Sequence, residues 1–419
     1  MKTNRILLTA VSLLLICAMT VNLTGCTARV QAKDLMEGIR PNEVNATDNL
    51  DAQSKDITDF AVRLFQASAE REANSLISPL SVLYALAMTA NGADGKTLEE
   101  MEAVLGLTTE ALNLYLYSYL NNLPQGEQYK LSLANSIWFT EDDRFTVNRD
   151  FLQTNADYYS ADIYQAPFDH QTCKDMNNWV KDKTDGMIPE ILDRLPPDAV
   201  MCLVNALAFE AEWAETYEGY QVREGMFTRE DGIKLEADFM YGEDHSYLED
   251  EKATGFMKTY KGGKYAFVAM LPKEGVSISE YVDSLDGDVL HSLLSNPSYT
   301  TVYTSIPKFE TQYDVEMSEI LKAMGMPSAF DISTADFTGL GTSTAGNIYI
   351  SRVLHKTFIS VGEKGTKAGA ATAIIAADGA MIEIEEPKEV YLDRPFVYML
   401  IDCENSIPFF IGTMMDTEK

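Results

Sequence analysis

Four histidines, His170, His245, His291 and His355, supply all the imidazole in this 419-residue chain. None stands in the His-Glu-x-x-His spacing that turns two rings toward one zinc ion. The five cysteines form no Cys-x-x-Cys pair. No Gly-x-Ser-x-Gly elbow presents a serine nucleophile. "GADGKT" ends like a phosphate loop, but Ala90 occupies the place of the required first glycine. "GLGTSTAG", Gly339 to Gly346, has the wrong glycine spacing for a dinucleotide. The acidic pairs Glu99–Glu100, Asp142–Asp143 and Glu385–Glu386 are sequence neighbours and read as solvated surface. The expectation is a protein without catalytic residues, metal or cofactor. One stretch stays unexplained: "GEKGTKAGAATAIIAADGAM", Gly362 to Met381, is apolar yet has too little bulk to fill a core. By composition it is a linker, set near the end of a chain that otherwise reads as globular.

Around that stretch the elements are legible. Ile57, Phe60, Ala61, Leu64 and Phe65 recur on one helix face, with the pattern starting at Asp56. Ser78 is an N-cap with Pro79 at the first helical position, and that helix closes at the turn Gly92 to Gly95. "TLEEMEAVL", "TEALNLYLYSYLNNL" and "DMNNWVKDKTDG" read as further helices. Ala199 to Phe209 is a continuous apolar run, as in a strand buried on both faces, and Asn205 inside it needs hydrogen-bond partners. "YAFVAMLP", "TVYTSIPKF", "HKTFISVGE", "FVYMLID" and "PFFIGTMM" are strands. The expected class is one mixed α+β domain, with helices early and sheets late.

The amino terminus is a targeting segment. Lys2 and Arg5 precede the apolar run Ile6 to Val21, and "LTGC" follows. Leu23 to Cys26 resembles a bacterial lipobox, which implies removal of residues 1–25 and a lipid on Cys26. The acidic tract from 26 to 54 lacks apolar periodicity and reads as a flexible tether. Cys173, Cys202 and Cys403 are too few and scattered for a disulfide framework. The formal net charge of −31 speaks against a nucleic-acid partner.

Several segments in series resemble the serpin family of loop-inserting protease inhibitors. They are "NSLISPLSVLYALAMTANGADGKTLEEM", "NNWVKDKTDGMIPEIL", "LVNALAFEAEW", "IPKF", "MGMPSAFD", "HKTFISVGEKGTKAGAAT" and "DRPFVYMLID…PFFIG". The resemblance runs from about 56 to 416 and implies a serpin domain over 55–417. The fold it implies has helices packed around a large mixed central β-sheet, smaller sheets, and an exposed reactive-centre loop at about 362–390. It implies that a serine protease cleaves this loop, and that the freed segment enters the central sheet as a new strand. The hinge would comprise Glu363, Gly365, Thr366, Ala368, Ala370 and Thr372. Ser78, Ser81, Asn205 and His355 resemble the family's polar cluster beneath the sheet. Lys308 and Glu363 fall where the family has an ion pair near Trp213.

The residues themselves permit insertion. The even positions Thr366, Ala368, Ala370, Thr372, Ile374 and Ala376 are small or apolar, and a one-residue slip would bury Lys367. Gly365 to Gly379 spans roughly 50 Å when extended. Counting from the hinge in the family manner puts the reactive bond at Gly379–Ala380, with Ala376, Ala377, Asp378 and Met381 as neighbours. This window lacks Lys, Arg, Phe, Tyr and Trp. It suits an elastase-like or subtilisin-like protease rather than a trypsin-like one. A strongly anionic inhibitor also meets basic proteases faster at low salt. No basic patch suggests a heparin-like cofactor, and a monomer is expected. The alternative is a non-inhibitory serpin acting as a surface-tethered binding or adhesion lipoprotein on the extracellular or periplasmic side.

Overall fold

The computed structural model describes residues 30–417 except 48, 124–128, 143–144, 197, 345 and 367–385. Cys26, Ala368, Ala370, Thr372, Ala376, Ala377, Asp378, Gly379, Ala380 and Met381 lie outside the described residues.

The apolar run at Ala199 becomes the axis of a seven-stranded sheet. Its strands in chain order are β1 (Lys33–Asp34), β2 (Tyr129–Thr140), β3 (Asp162–Ala166), β4 (Met201–Glu212), β5 (Phe309–Glu316), β6 (Arg352–Gly362) and β7 (Gly365–Thr366). They lie side by side in the order β1-β3-β2-β4-β7-β6-β5. The sheet is mixed: β4 runs antiparallel to β2 and parallel to β6. Side chains alternate across β4. Cys202, Val204 and Ala206 pack with Met176, Trp179 and Val180 of the helix His170–Lys183. Met201, Leu203, Leu207 and Phe209 face the larger core, which contains the helices Asp51–Ser68 and Pro79–Ala90. Burial on both faces explains the unbroken apolar run.

A second sheet has nine strands among the described residues, more than the central one. One of them, Ala253–Thr259, runs into Tyr260, which bridges to Trp213 just past the C-terminal end of β4. The order of elements is less divided than expected: the twelve-residue β2 lies among the early helices, and three helices fall between Ile278 and Met324.

The free tether expected up to Ser54 is corrected for residues 30–50. The backbone N–H groups of Gln31 and Ala32 donate to the buried Asp175 carboxylate at 2.8 and 2.9 Å. Lys33 and Asp34 pair antiparallel with β3, and Leu35 N–H donates to Ile163 O at 2.9 Å. Asn42 bonds Asp157 through its backbone and its side chain, and Thr47 N–H donates to Ser118 Oγ at 3.0 Å. Leu50 is buried, and the first described helix begins at Asp51 rather than Asp56. Backbone bonds to distant residues hold this segment, so it needs no apolar period of its own.

Candidate functional site

Two clusters sit on the larger-core side of β4 and β6. The first lies where these strands pair directly, from Arg352↔Cys202 to Thr357↔Leu207. In that register His355 stands opposite Asn205, and Asn205 stands opposite Asn135 of β2. The helix Pro79–Ala90 brings its start against this row because Ser78 caps it, accepting from Ser81 N–H at 3.3 Å. Ser78 N–H donates to His355 Nε2 at 3.0 Å. Nδ1 therefore carries the imidazole proton and donates to Asn205 Oδ1. Ser81 Oγ sits 3.1 Å from Ser78 O and 3.3 Å from Asn205 Oδ1. Asn135 donates to Ser81 O at 3.1 Å. Ser78, Ser81, Asn205 and His355 are fully buried. Burial alone pushes the His355 imidazole down to about 3, so the ring is neutral at neutral pH. Asn205 Nδ2 is left without a partner inside the core. The four polar residues singled out for this cluster are thus brought together.

The second cluster lies eight residues along β4, roughly 26 Å away. Here β4 and β6 no longer pair with each other, since their ladder stops at Leu207 and Thr357. The chain instead leaves β6, turns through Glu363 and Lys364, and returns as β7 between the two strands. Gly365 pairs with Gly362 and Glu212, and Thr366 pairs with Val361 and Ala211. Both pairings are antiparallel. Gly365 has φ +147, and a Cβ there would stand 2.0 Å from Ala211 O, so only glycine fits.

Trp213, just beyond β4, holds the turn. Its Nε1–H donates to Gly362 O at 2.8 Å and its backbone N–H to Lys364 O at 2.9 Å. Tyr217 N–H donates to Glu363 O at 2.9 Å. Lys308 Nζ donates to Glu363 Oε1 at 2.7 Å and lies 3.7 Å from Asp238. That hydrogen bond holds the Lys308 ammonium above its ordinary range and the Glu363 carboxyl below its own.

Glu363, Gly365, Thr366, Trp213 and Lys308 therefore share one site, separate from the His355 cluster. Sequence reasoning did not find Tyr260, whose hydroxyl lies 2.5 Å from Thr366 Oγ1. Nor did it find the buried pair Lys258–Asp244 beside Trp213, at 3.5 Å. Tyr260 is 106 positions from Thr366, and no local pattern links them. Among the described residues, no group of three or more His, Cys, Asp or Glu could hold a metal ion.

The model of the serpin (serine protease inhibitor) family matches residues 55–417. An uncharacterized serpin-like protein of Thermococcus kodakarensis is 29% identical over 367 residues, covering 86% of this chain and 84% of that protein. The leukocyte elastase inhibitor of Homo sapiens is 29% identical over 374 residues, covering 85% and 97%. The thermophilic serpin tengpin is similar in its native-state crystal structure at a TM-score of 0.88 and 47% identity, covering 92% of this chain and 100% of that one. In its latent state the TM-score is 0.78. The fold described above is thus nearer to the native form of that protein than to its latent form.

Proposed function

The chain belongs to the serpin family, whose members are mostly protease inhibitors, and on that premise we propose that it is a suicide-substrate inhibitor of serine proteases. The observation that carries this reading is β7. The start of the hinge, Gly365–Thr366, already sits as a strand between β4 and β6, antiparallel to both, as a longer inserted segment would have to be.

Continuing that register inward gives the rest. Residue 368 would then meet Phe209 and Ile359, where alanine leaves room for their side chains. Residue 370 would meet Leu207 and Thr357, so from there the direct β4–β6 ladder would have to open. Residue 372 would meet both Asn205 and His355. Thr372 would bring a hydroxyl between two groups that lose each other as the strands part. In that register the even residues would all face the main core, as Thr366 does, and none of those from Thr366 to Ala376 is charged.

The reaction follows. The protease serine oxygen bonds to the Gly379 carbonyl carbon. The Gly379–Ala380 bond breaks, and the Ala380 nitrogen leaves as an amine with a proton from the protease's general acid. The freed segment then enters the sheet before water can cleave the ester. The drive is the backbone pairing and apolar burial gained by filling the sheet. Small residues on both sides of the bond favour an elastase-like or subtilisin-like enzyme. Similarity to a leukocyte elastase inhibitor supports this choice. We further read Cys26 as the lipid anchor holding the monomeric domain on the outer side of a membrane.

The test mixes the protein with pancreatic elastase or trypsin and boils the mixture in detergent. A covalent band of summed mass is expected with elastase and not with trypsin. Thr366→Arg should convert that band to cleaved protein, because the site buries Thr366 against Tyr260. Cleavage of the unaltered chain without any such band would mean a substrate, and the adhesion alternative would take its place.

A further inference from the structure

The second cluster contains a side chain to which the reading above gives no role of its own. Tyr260 follows the strand Ala253–Thr259 and bridges to Trp213. Its ring stacks on Trp213 at 4.4 Å and 8°, and its centroid lies 5.2 Å from that of Phe209 at a steep angle. Tyr260 and Trp213 are fully buried. The Tyr260 hydroxyl has one hydrogen-bond partner among the described residues, Thr366 Oγ1 at 2.5 Å.

The stack rests on a buried charge pair. Lys258 Nζ lies 4.7 Å from the Tyr217 ring centroid and 5.7 Å from that of Trp213. It pairs with Asp244, which accepts from Thr304 Oγ1 at 3.0 Å. The side chains of Lys258 and Asp244 are 5% and 10% exposed, so neither can leave its partner without a large desolvation penalty. The cation is thereby fixed beside the aromatic faces, where its attraction to them is strongest for want of water. The rings cannot swing freely, and the Tyr260 hydroxyl has a fixed address.

We propose that Tyr260 is a positioning residue for strand insertion, its hydroxyl seating Thr366 in the one register that turns the even residues of the following chain toward the core. This rests on the inhibitory reading above and adds the device that sets its alignment. A slip by one residue would offer this hydroxyl Gly365 or Lys367 in place of Thr366, and would bury the lysine. The Tyr260–Thr366 bond exists before the loop is cut. Thr366 keeps the same rung after insertion, so the bond does not brake the movement. It fixes the starting alignment, and with it the share of encounters that trap the protease before the ester hydrolyses.

Tyr260→Phe removes the hydroxyl and keeps the ring. In the uncleaved protein, amide exchange at Gly365 and Thr366 should quicken about fivefold, as for the loss of one hydrogen bond. With elastase, more inhibitor should be consumed per protease trapped, while the association rate stays as it was. Thr366→Val should reproduce both effects, Thr366→Ser, which keeps a hydroxyl, should show neither, and the Tyr260→Phe/Thr366→Val double variant should be no worse than either single one. Unchanged exchange in Tyr260→Phe overturns the proposal. So does quickened exchange with an unchanged consumption ratio, or full additivity of the two variants. If exchange quickens as stated but the unaltered protein traps no protease, the seat stands and the inhibitory reading fails. The two ideas therefore fail separately.

Discussion

The two clusters on β4 treat the same pair of strands in opposite ways. Around His355 the strands β4 and β6 pair directly, and a neutral imidazole, two serines and two asparagines join them to the helix beneath. Around Trp213 the strands are already parted, and aromatic rings with two ion pairs hold a third strand between them. The polar cluster gains its strength from direction: each bond demands one partner at one angle, and Asn205 Nδ2 shows how little slack remains. The aromatic cluster works by area and tolerates a change of neighbour. The lesson is a division of labour. On the inhibitory reading proposed above, the region that must open once is closed by few directional bonds that fail together, and the region that must stay open is propped by packing.

His355→Ala should break the first cluster outright. It leaves the Ser78 amide unpaired in the core and takes from Asn205 Oδ1 its imidazole partner, so that Ser81 Oγ at 3.3 Å must serve it, at a cost of about 2–4 kcal/mol to the uncleaved protein. The first urea transition should fall accordingly, and a loss below about 1 kcal/mol would show that this cluster does not hold the strands.

Gly365→Ala attacks the second cluster. The new Cβ collides with Ala211 O, so β7 should leave the sheet at a cost of about 2 kcal/mol. Exchange at 365 and 366 should become that of open chain while the His355 cluster keeps its protection. Equal loss in both places would deny their independence.

Acid should separate the two clusters as well. His355 titrates near 3 when folded and near 6.5 when unfolded, so between these values the unfolded chain binds the extra proton. This contribution to stability is complete above about pH 6.5 and is lost as pH falls toward 3, with a slope approaching about 1.4 kcal/mol per unit. His355→Gln should flatten the slope between pH 6 and 5, whereas Tyr260→Phe should leave it alone. Parallel slopes for His355→Gln and the unaltered chain would rule out the imidazole as the source.

Lys308→Ala is the mildest change. Its side chain is 34% exposed and that of Glu363 is 38%, so solvent screens the pair and its loss should cost at most about 1 kcal/mol, less in high salt. A loss of 3 kcal/mol would move the prop from the rings to this bridge.

Local signals carried part of this into the sequence. The Ser78–Pro79 start and the apolar run of β4 could be read because cap chemistry and two-sided burial leave marks within a few residues. Asn205 was marked by contrast with its apolar neighbours. Trp213, Lys308 and Glu363 were reachable only through family resemblance, since their meeting depends on strands far apart in the chain. Strand β2 escaped because Ser132, Asn135 and Ser136 interrupt its apolar pattern; Asn135 reaches Ser81 O on a distant helix, and Ser136 Oγ accepts from Trp138 Nε1 on the same strand. Residues 30–50 escaped for a related reason: Asp175 and β3 hold their backbone, and backbone bonds have no residue code. Lys258 reads as an ordinary surface lysine until Asp244 is placed beside it.

The margins of the central sheet bear on how the molecule keeps company. On one side β1, with the Leu35 amide behind it, occupies the free rim of β3. On the other, β5 carries Glu310, Asp314 paired with Lys356 at 3.1 Å, and Glu316 bound to the Ser318 and Val353 amides. A filled rim and a charged rim both discourage a stranger's strand. If the reading proposed above holds, such molecules should stay dispersed in a concentrated solution, and the place that opens between β4 and β6 should fall to their own chain.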